Sequence, residues 1–333
     1  MAALDLSTMV KKTLDVSRGF TYTYYTSPAR DSKPTLLLFH GWPDTARLWA
    51  GLTNNHLIPN GYGVVALDNL GFGDTSRPTD PEDYAWHRLA ADAVEILDRE
   101  RLTKVISLGH DWGCLIAQRL YNFHPDRICG LVMLNVPYMP PTGNFDLEAV
   151  NQVTRKIFGV GIFEYWHFFL AEDSVDLMNQ NLESVYSVTF GDPQTWLENW
   201  CTTGKMREFI TGGRTQPTLP FATPGHRADF MERYGRDGFA APRCVYTVTG
   251  SGIQDKSERM LSGEVKTVRV PVLYWGGEQD YVCRPELLQQ SIAAGVLPDV
   301  KKITREGGHW AFLEKPAVFG QDVLGWLHQS FDS

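Results

Sequence analysis

Val105-Ile106-Ser107-Leu108-Gly109-His110-Asp111-Trp112-Gly113-Cys114 is the stretch whose reading decides the fold. Its first four residues form a short, nearly all-apolar run, which suits a strand buried on both faces. Residues 112–123 then carry a helical pattern that stops ahead of Pro125. Between the two lies the pattern small-x-Asp-x-small, with Gly109 and Gly113 flanking Asp111. A sharp strand-to-helix turn of this kind presents its central side chain at the edge of a sheet. The glycines are needed because neighbouring backbone passes close to a strained central residue. Serine is the usual occupant of the centre, and here it is aspartate.

Further apolar runs at 36–39, 64–67 and 131–134, with an alternating stretch at 20–24, predict more strands. Residues 86–97 place Leu89, Ala93, Ile96 and Leu97 on one stripe of a helix. Alternating strands and helices imply a doubly wound α/β sheet with right-handed crossovers. The alternation breaks at Val136-Pro137-Tyr138-Met139-Pro140-Pro141 and returns at Val270-Pro271-Val272-Leu273-Tyr274-Trp275. A last helix pattern covers 318–327. The expectation is one core domain, 1–136 and 268–333, interrupted by a helical lid at 137–267. Within that insertion a loop punctuated by Pro217, Pro220 and Pro224 is expected, and Phe72-Gly73-Asp74-Thr75-Ser76 reads as a surface turn.

Four motifs follow predicted strands, where open α/β sheets build their sites. They are His40-Gly41-Trp42-Pro43-Asp44, the turn at Asp111, Gly276-Gly277-Glu278-Gln279-Asp280, and Gly307-Gly308-His309-Trp310. A carboxylate is ordinarily ionised near pH 7, so it attacks without a base. It suits displacement of a leaving group from a saturated carbon, which forms an ester. That points to epoxides or alkyl halides and away from ester cleavage. His309, oriented by Asp280 or Glu278, would then deprotonate a water. His110 and His40 read as structural, the former directed away from the nucleophile.

Together these motifs resemble the α/β-hydrolase-fold epoxide hydrolases of the soluble type, over nearly the whole chain. Two stretches of the insertion share the likeness: Phe163-Glu164-Tyr165-Trp166, and Gly238-Phe239-Ala240-Ala241-Pro242-Arg243-Cys244-Val245-Tyr246. The resemblance implies an α/β-hydrolase fold with an inserted cap. It implies Asp111 as nucleophile, Asp280 and His309 as acid and base, and Tyr165 and Tyr246 as ring-opening phenols. The backbone N–H groups of Trp42 and Trp112 would form the oxyanion hole. The substrates would be a small apolar epoxide and water, the product a vicinal diol, with no metal or organic cofactor. Cys244, Val245 and Thr247 depart from the Asn, Trp and Arg that the family places around the second tyrosine. Cys114 stands where many relatives carry a second glycine. Most of the lid aromatics, such as Trp166, Phe168, Phe169, Trp196 and Trp200, read as lid core, with a few expected to line an apolar substrate cavity.

A haloalkane dehalogenase shares the nucleophile and base but stabilises halide with N–H donors. A catalytically inactive fold used for binding is the third reading. Composition narrows the field further. Of 333 residues 43% are hydrophobic and 21% charged, and the net charge is −8 with no basic cluster. Nucleic acid and anionic membrane surfaces are therefore not expected partners. No apolar run reaches the ~20 residues of a bilayer span. Five cysteines without metal-site spacing fit free thiols in a reducing compartment, and neither terminus carries a targeting signal, so a cytoplasmic location is expected.

Overall fold

Eight strands form one sheet in the order β1-β2-β4-β3-β5-β6-β7-β8. They are β1 (Val10–Asp15), β2 (Thr21–Ser27), β3 (Thr35–Phe39), β4 (Gly63–Leu67), β5 (Val105–His110), β6 (Ile128–Leu134), β7 (Val272–Gly277) and β8 (Val300–Arg305). The computed structural model describes residues 4–331. Met1, Ala2, Ala3, Asp332 and Ser333, on which part of the targeting reading rests, lie outside the described residues. β1 pairs antiparallel with β2, and β2 with β4; all other pairings are parallel. Every residue of β3, β4, β5 and β7 is buried, as their unbroken apolar runs require.

The two edge strands left no apolar run to read. β1 carries Lys11 and Lys12, and β8 carries Lys301 and Lys302. Lysines on an edge discourage pairing with another chain, and the same lysines erase the strand signal. β2 differs from its expected half-burial. Tyr22, Thr23 and Tyr24 are all buried because β1 lies outside it. The phenols end on carboxylates, Tyr22 on Asp92 at 2.7 Å and Tyr24 on Glu100 at 2.6 Å.

Helix α1 (Trp86–Arg99) buries Leu89, Ala93, Ile96 and Leu97. Helix α2 (Trp112–Phe123) follows β5 directly. Between β6 and β7 lie helices, among them α3 (Leu147–Phe158), α4 (Pro224–Asp237) and α5 (Cys244–Gly250). The chain closes with α6 (Pro316–Phe331). Pro224 does not belong to a loop. It opens α4, with Thr223 as N-cap accepting from the His226 N–H. Proline fits there because a first-turn N–H has no helical partner.

Helix α3 turns polar side chains inward. Asn151 and Thr154 are buried, whereas Val153 and Ile157 are 50% and 55% exposed. Asn151 Oδ1 accepts from Phe163 N at 2.9 Å, and Thr154 Oγ1 from Ile162 N at 3.2 Å. These bonds hold the segment that leads to Tyr165. The stretch 72–76 is the expected turn, with Asp74 exposed at its tip, but it is anchored inward. Phe72 and Thr75 are buried, and the loop folds round buried Asp68, which accepts from Ala46 N and Asp74 N. Asp68 needs those donors because an unbonded buried carboxylate is costly.

Candidate active site

Asp111 sits at the junction of β5 and α2 with φ +52°, a region that L-residues rarely occupy. Its neighbours must be glycine. A Cβ on Gly109 would lie 2.2 Å from Gly113 O, and one on Gly113 would lie 2.1 Å from Phe39 O. A Cβ on Gly41 would fall 2.4 Å from the Asp111 Cβ. Cys114 fits because its thiol reaches Gly109 O and Leu134 O at 3.0 and 3.2 Å.

The parallel order brings the ends of β3, β5, β7 and β8 to one rim, and the loops there converge. His309 Nδ1 lies 2.6 Å from Asp280 Oδ2, and His309 Nε2 lies 3.6 Å from Asp111 Oδ2. Asp280 Oδ1 accepts from Val282 N and Cys283 N at 3.1 and 2.8 Å. Glu278 takes no part, since its side chain meets Thr304 Oγ1 at 3.3 Å. Of the two acids, Asp280, the one the resemblance implies, is the one in contact with His309. The Trp42 N–H donates to Asp111 Oδ1 at 3.0 Å. Trp112 is the first residue of α2, where backbone N–H groups have no helical acceptor and the helix dipole is positive.

Burial opposes the charge on Asp280, but His309 and the two backbone donors outweigh it and lower its pKa. Burial would likewise depress His309; Asp280, Cys283 and Asp111 overcome this and hold its pKa well above the ordinary imidazole value. His110 does not turn away from the site. Its ring lies 4.6 Å from that of His309, and its Nε2 donates to His309 O at 3.0 Å. Asn135 Nδ2 donates to the same carbonyl. Burial and His309 push His110 down to about 3, so it stays neutral and positions the His309 loop. His40 bridges Gly41 O and Asn69 N, and burial drives it to about 3 as well.

Tyr165 and Tyr246 reach the same place from the segment between β6 and β7. Their rings are 6.0 Å apart, both are buried, and both border a cavity of about 10 Å³ with Asp111 and His309. Burial raises both phenols well above the ordinary tyrosine pKa, so each keeps its proton to donate. The Trp112 and Tyr246 rings meet edge to face, 4.9 Å apart. A second cavity of about 620 Å³ opens from Asp111, lined by Trp112, Phe145, Val150, Phe163 and Trp166.

Some residues at the site gave no signal in sequence. Trp196 and Trp200, read as lid core, border the small cavity, and the Trp196 ring lies 5.4 Å from His309. Asp44 is buried and accepts from the Trp310 indole at 3.0 Å; burial raises it to about 7. Cys283 stands beside Asp111 and His309. Asp44 belongs to the motif at 40–44, but its burial and its Trp310 partner, like the other contacts, come from remote segments.

Comparisons with known proteins bear on the fold. A family model described as alpha/beta hydrolase fold matches residues 34–316. Bifunctional epoxide hydrolase 2 of Sus scrofa is 24% identical over 306 residues, 89% of this chain and 52% of that protein. Epoxide hydrolase B of Mycobacterium tuberculosis is 25% identical over 342 aligned residues, covering 90% of this chain and 93% of its own length. The chain spans about half the length of the bifunctional relatives it matches. Among solved structures, an epoxide hydrolase from an endophytic Streptomyces superposes with TM-score 0.80 at 20% identity, covering 98% of this chain and 97% of that one. Epoxide Hydrolase A from Mycobacterium thermoresistibile gives 0.78 at 22%, covering 96% and 98%. With the family model spanning most of the chain and the elbow, sheet order and loop set in agreement, this chain belongs to the α/β-hydrolase fold family.

Proposed function

We propose that the protein is an epoxide hydrolase that opens an apolar epoxide to a vicinal diol through an Asp111 ester. The observation that carries this reading is an elbow aspartate facing both a His309–Asp280 pair and two buried phenols across one cavity. Asp111 attacks a ring carbon, and the C–O bond breaks. Tyr165 and Tyr246 donate to the opening oxygen, where charge develops, and one of them supplies the proton. Esterification removes the Asp111 charge, one of the groups that keep His309 protonated. The imidazole pKa then falls, and His309 becomes the base for a water. The small cavity has room for about one water. That water adds to the Asp111 carbonyl carbon, and the Trp42 and Trp112 N–H groups hold the oxyanion. Collapse frees the diol and restores the carboxylate.

In this reading residues 137–267 act as a lid over the core formed by 1–136 and 268–333. The large cavity presents no Lys or Arg among the described residues, and Asp111 is its one carboxylate. An uncharged substrate fits such walls, since an unpaired charge there would be costly. Among the described residues no helix is long and apolar enough to cross a membrane. The five free cysteines support a reducing, cytoplasmic setting. The dehalogenase reading has one observation in its favour, the buried Trp42 indole N–H without a partner. The other donor it requires, the Trp112 indole, lies edge to face with the Tyr246 ring, 4.9 Å away, so a phenol shares its side of the site.

Multiple turnover of an aryl or alkyl epoxide in ¹⁸O-water tests the ester route. Diol should form, and mass spectrometry should find label in the peptide containing Asp111. Diol with an unlabelled Asp111 would mean direct attack by water; halide release from a haloalkane, with no diol, would favour the dehalogenase. Tyr165→Phe and Tyr246→Phe should each slow ester formation by about 10–100-fold, and the pair by about 10³-fold or more. Stopped-flow single turnovers measure this, and an unaffected double variant would remove the phenols from the mechanism.

A further inference from the structure

Cys283 has no part in the ester chemistry, yet it stands against the two residues that carry it. One ligand atom each from Asp111, Cys283 and His309 lie within 4.8 Å of one another. We propose that these three residues form an inhibitory site for a thiophilic divalent cation such as zinc. A carboxylate oxygen, a thiolate and an imidazole are all ligands that zinc takes, and three protein ligands with one open position make a set that zinc proteins use. The large cavity opens from Asp111 and leaves that fourth position to water.

The surroundings already orient two of the ligands. Asp280 Oδ2 holds His309 Nδ1 at 2.6 Å, which leaves Nε2, 3.6 Å from Asp111 Oδ2, as the ligating nitrogen. Metal-bound histidines commonly have such a carboxylate behind them. The other oxygen of Asp280 accepts from the Cys283 N–H at 2.8 Å and fixes the backbone that carries the thiol. Tetrahedral zinc with bonds of roughly 2.0–2.3 Å needs ligand separations of roughly 3.3–3.7 Å. The Asp111–His309 spacing already fits, and the widest separation closes by roughly 1 Å. On binding, the thiol and the His309 imidazolium each release a proton to solvent.

The bound ion takes the Nε2 lone pair that activates water and the carboxylate oxygen that attacks carbon, so both halves of the reaction stop. Magnesium and calcium, which prefer all-oxygen sites, should have little effect.

The test uses the whole chain and compares wild type with Cys283→Ala, each referred to its own metal-free rate. Zinc should inhibit wild-type epoxide hydrolysis, and a chelator should restore it. Losing an outer partner of a metal ligand costs about 10–100-fold in affinity. Losing the thiolate itself should raise the half-inhibitory zinc concentration by about 100-fold or more. A second readout needs no turnover: cobalt(II) added to wild type should give a thiolate-to-cobalt charge-transfer band in the near ultraviolet, absent from Cys283→Ala. Equal zinc sensitivity of the two proteins, no inhibition of wild type, or no thiolate band overturns the site. If wild type hydrolyses no epoxide, the activity reading fails by itself, and the cobalt band alone decides the metal site.

Discussion

His309→Gln is expected to turn the protein into a trap that forms the Asp111 ester and does not release it. Glutamine keeps a polar side chain of similar reach but cannot take a proton from water at neutral pH. Asp111 still receives the Trp42 N–H, and Tyr165 and Tyr246 still face the opening oxygen, so the first half of the reaction survives. Steady-state turnover should fall by about 10⁴–10⁶-fold, the scale seen when one member of a catalytic set is removed. Intact-protein mass spectrometry after adding epoxide should show one equivalent of added substrate mass. Peptide mapping should place it on the segment containing Asp111. A variant with neither turnover nor mass gain, though folded by its thermal transition, would put His309 in the first step and break the two-step scheme.

Asp111→Ala should lose both halves. The alanine leaves the oxyanion donors, His309 and the phenols in place, so substrate binding is retained while the attacking atom is gone. A loss of at least about 10⁴-fold in kcat/KM is expected, with no mass gain in the same spectrometric assay. The comparison with His309→Gln is informative because the two variants share lost turnover and differ in the adduct. Retention of more than a hundredth of the activity would mean that another group attacks carbon. The fold should tolerate the change, since the side chain removed is partly exposed to the cavity and the strained φ of +52° is set by the close approach of Gly109, Gly113 and Gly41.

How much of this could be read from the chain follows from what kind of signal each part carries. The interior strands announce themselves because a strand buried on both faces must be apolar throughout. The elbow does so because close backbone contacts admit only glycine beside Asp111. These are local constraints, written where they act. The edge strands β1 and β8 carry lysines for a reason that conflicts with strand periodicity, and they were not legible. Pro224, taken as a loop residue, opens α4, because proline serves equally to break a helix or to begin one. The stretch 72–76 is the turn its residues suggest, and Phe72 and Thr75 are buried in it only because it folds round Asp68.

The site divides along the same line. Asp111, Asp280, His309, Tyr165, Tyr246, Trp42 and Trp112 each sit in a recognisable local pattern, and in the proposed reading the residue types there supply a nucleophile, a base and two donors. Distances between segments more than a hundred residues apart belong to tertiary packing. Only the folded chain turns His110 onto the His309 loop, brings Trp196 to the small cavity, and sets Cys283 beside Asp111 and His309. The sequence by itself therefore carries the proposed chemistry, because reactivity resides in side-chain type and local backbone. The shape and uncharged lining of the cavity, and the grouping of three metal-competent ligands, came from packing, because they depend on which remote surfaces exclude water together.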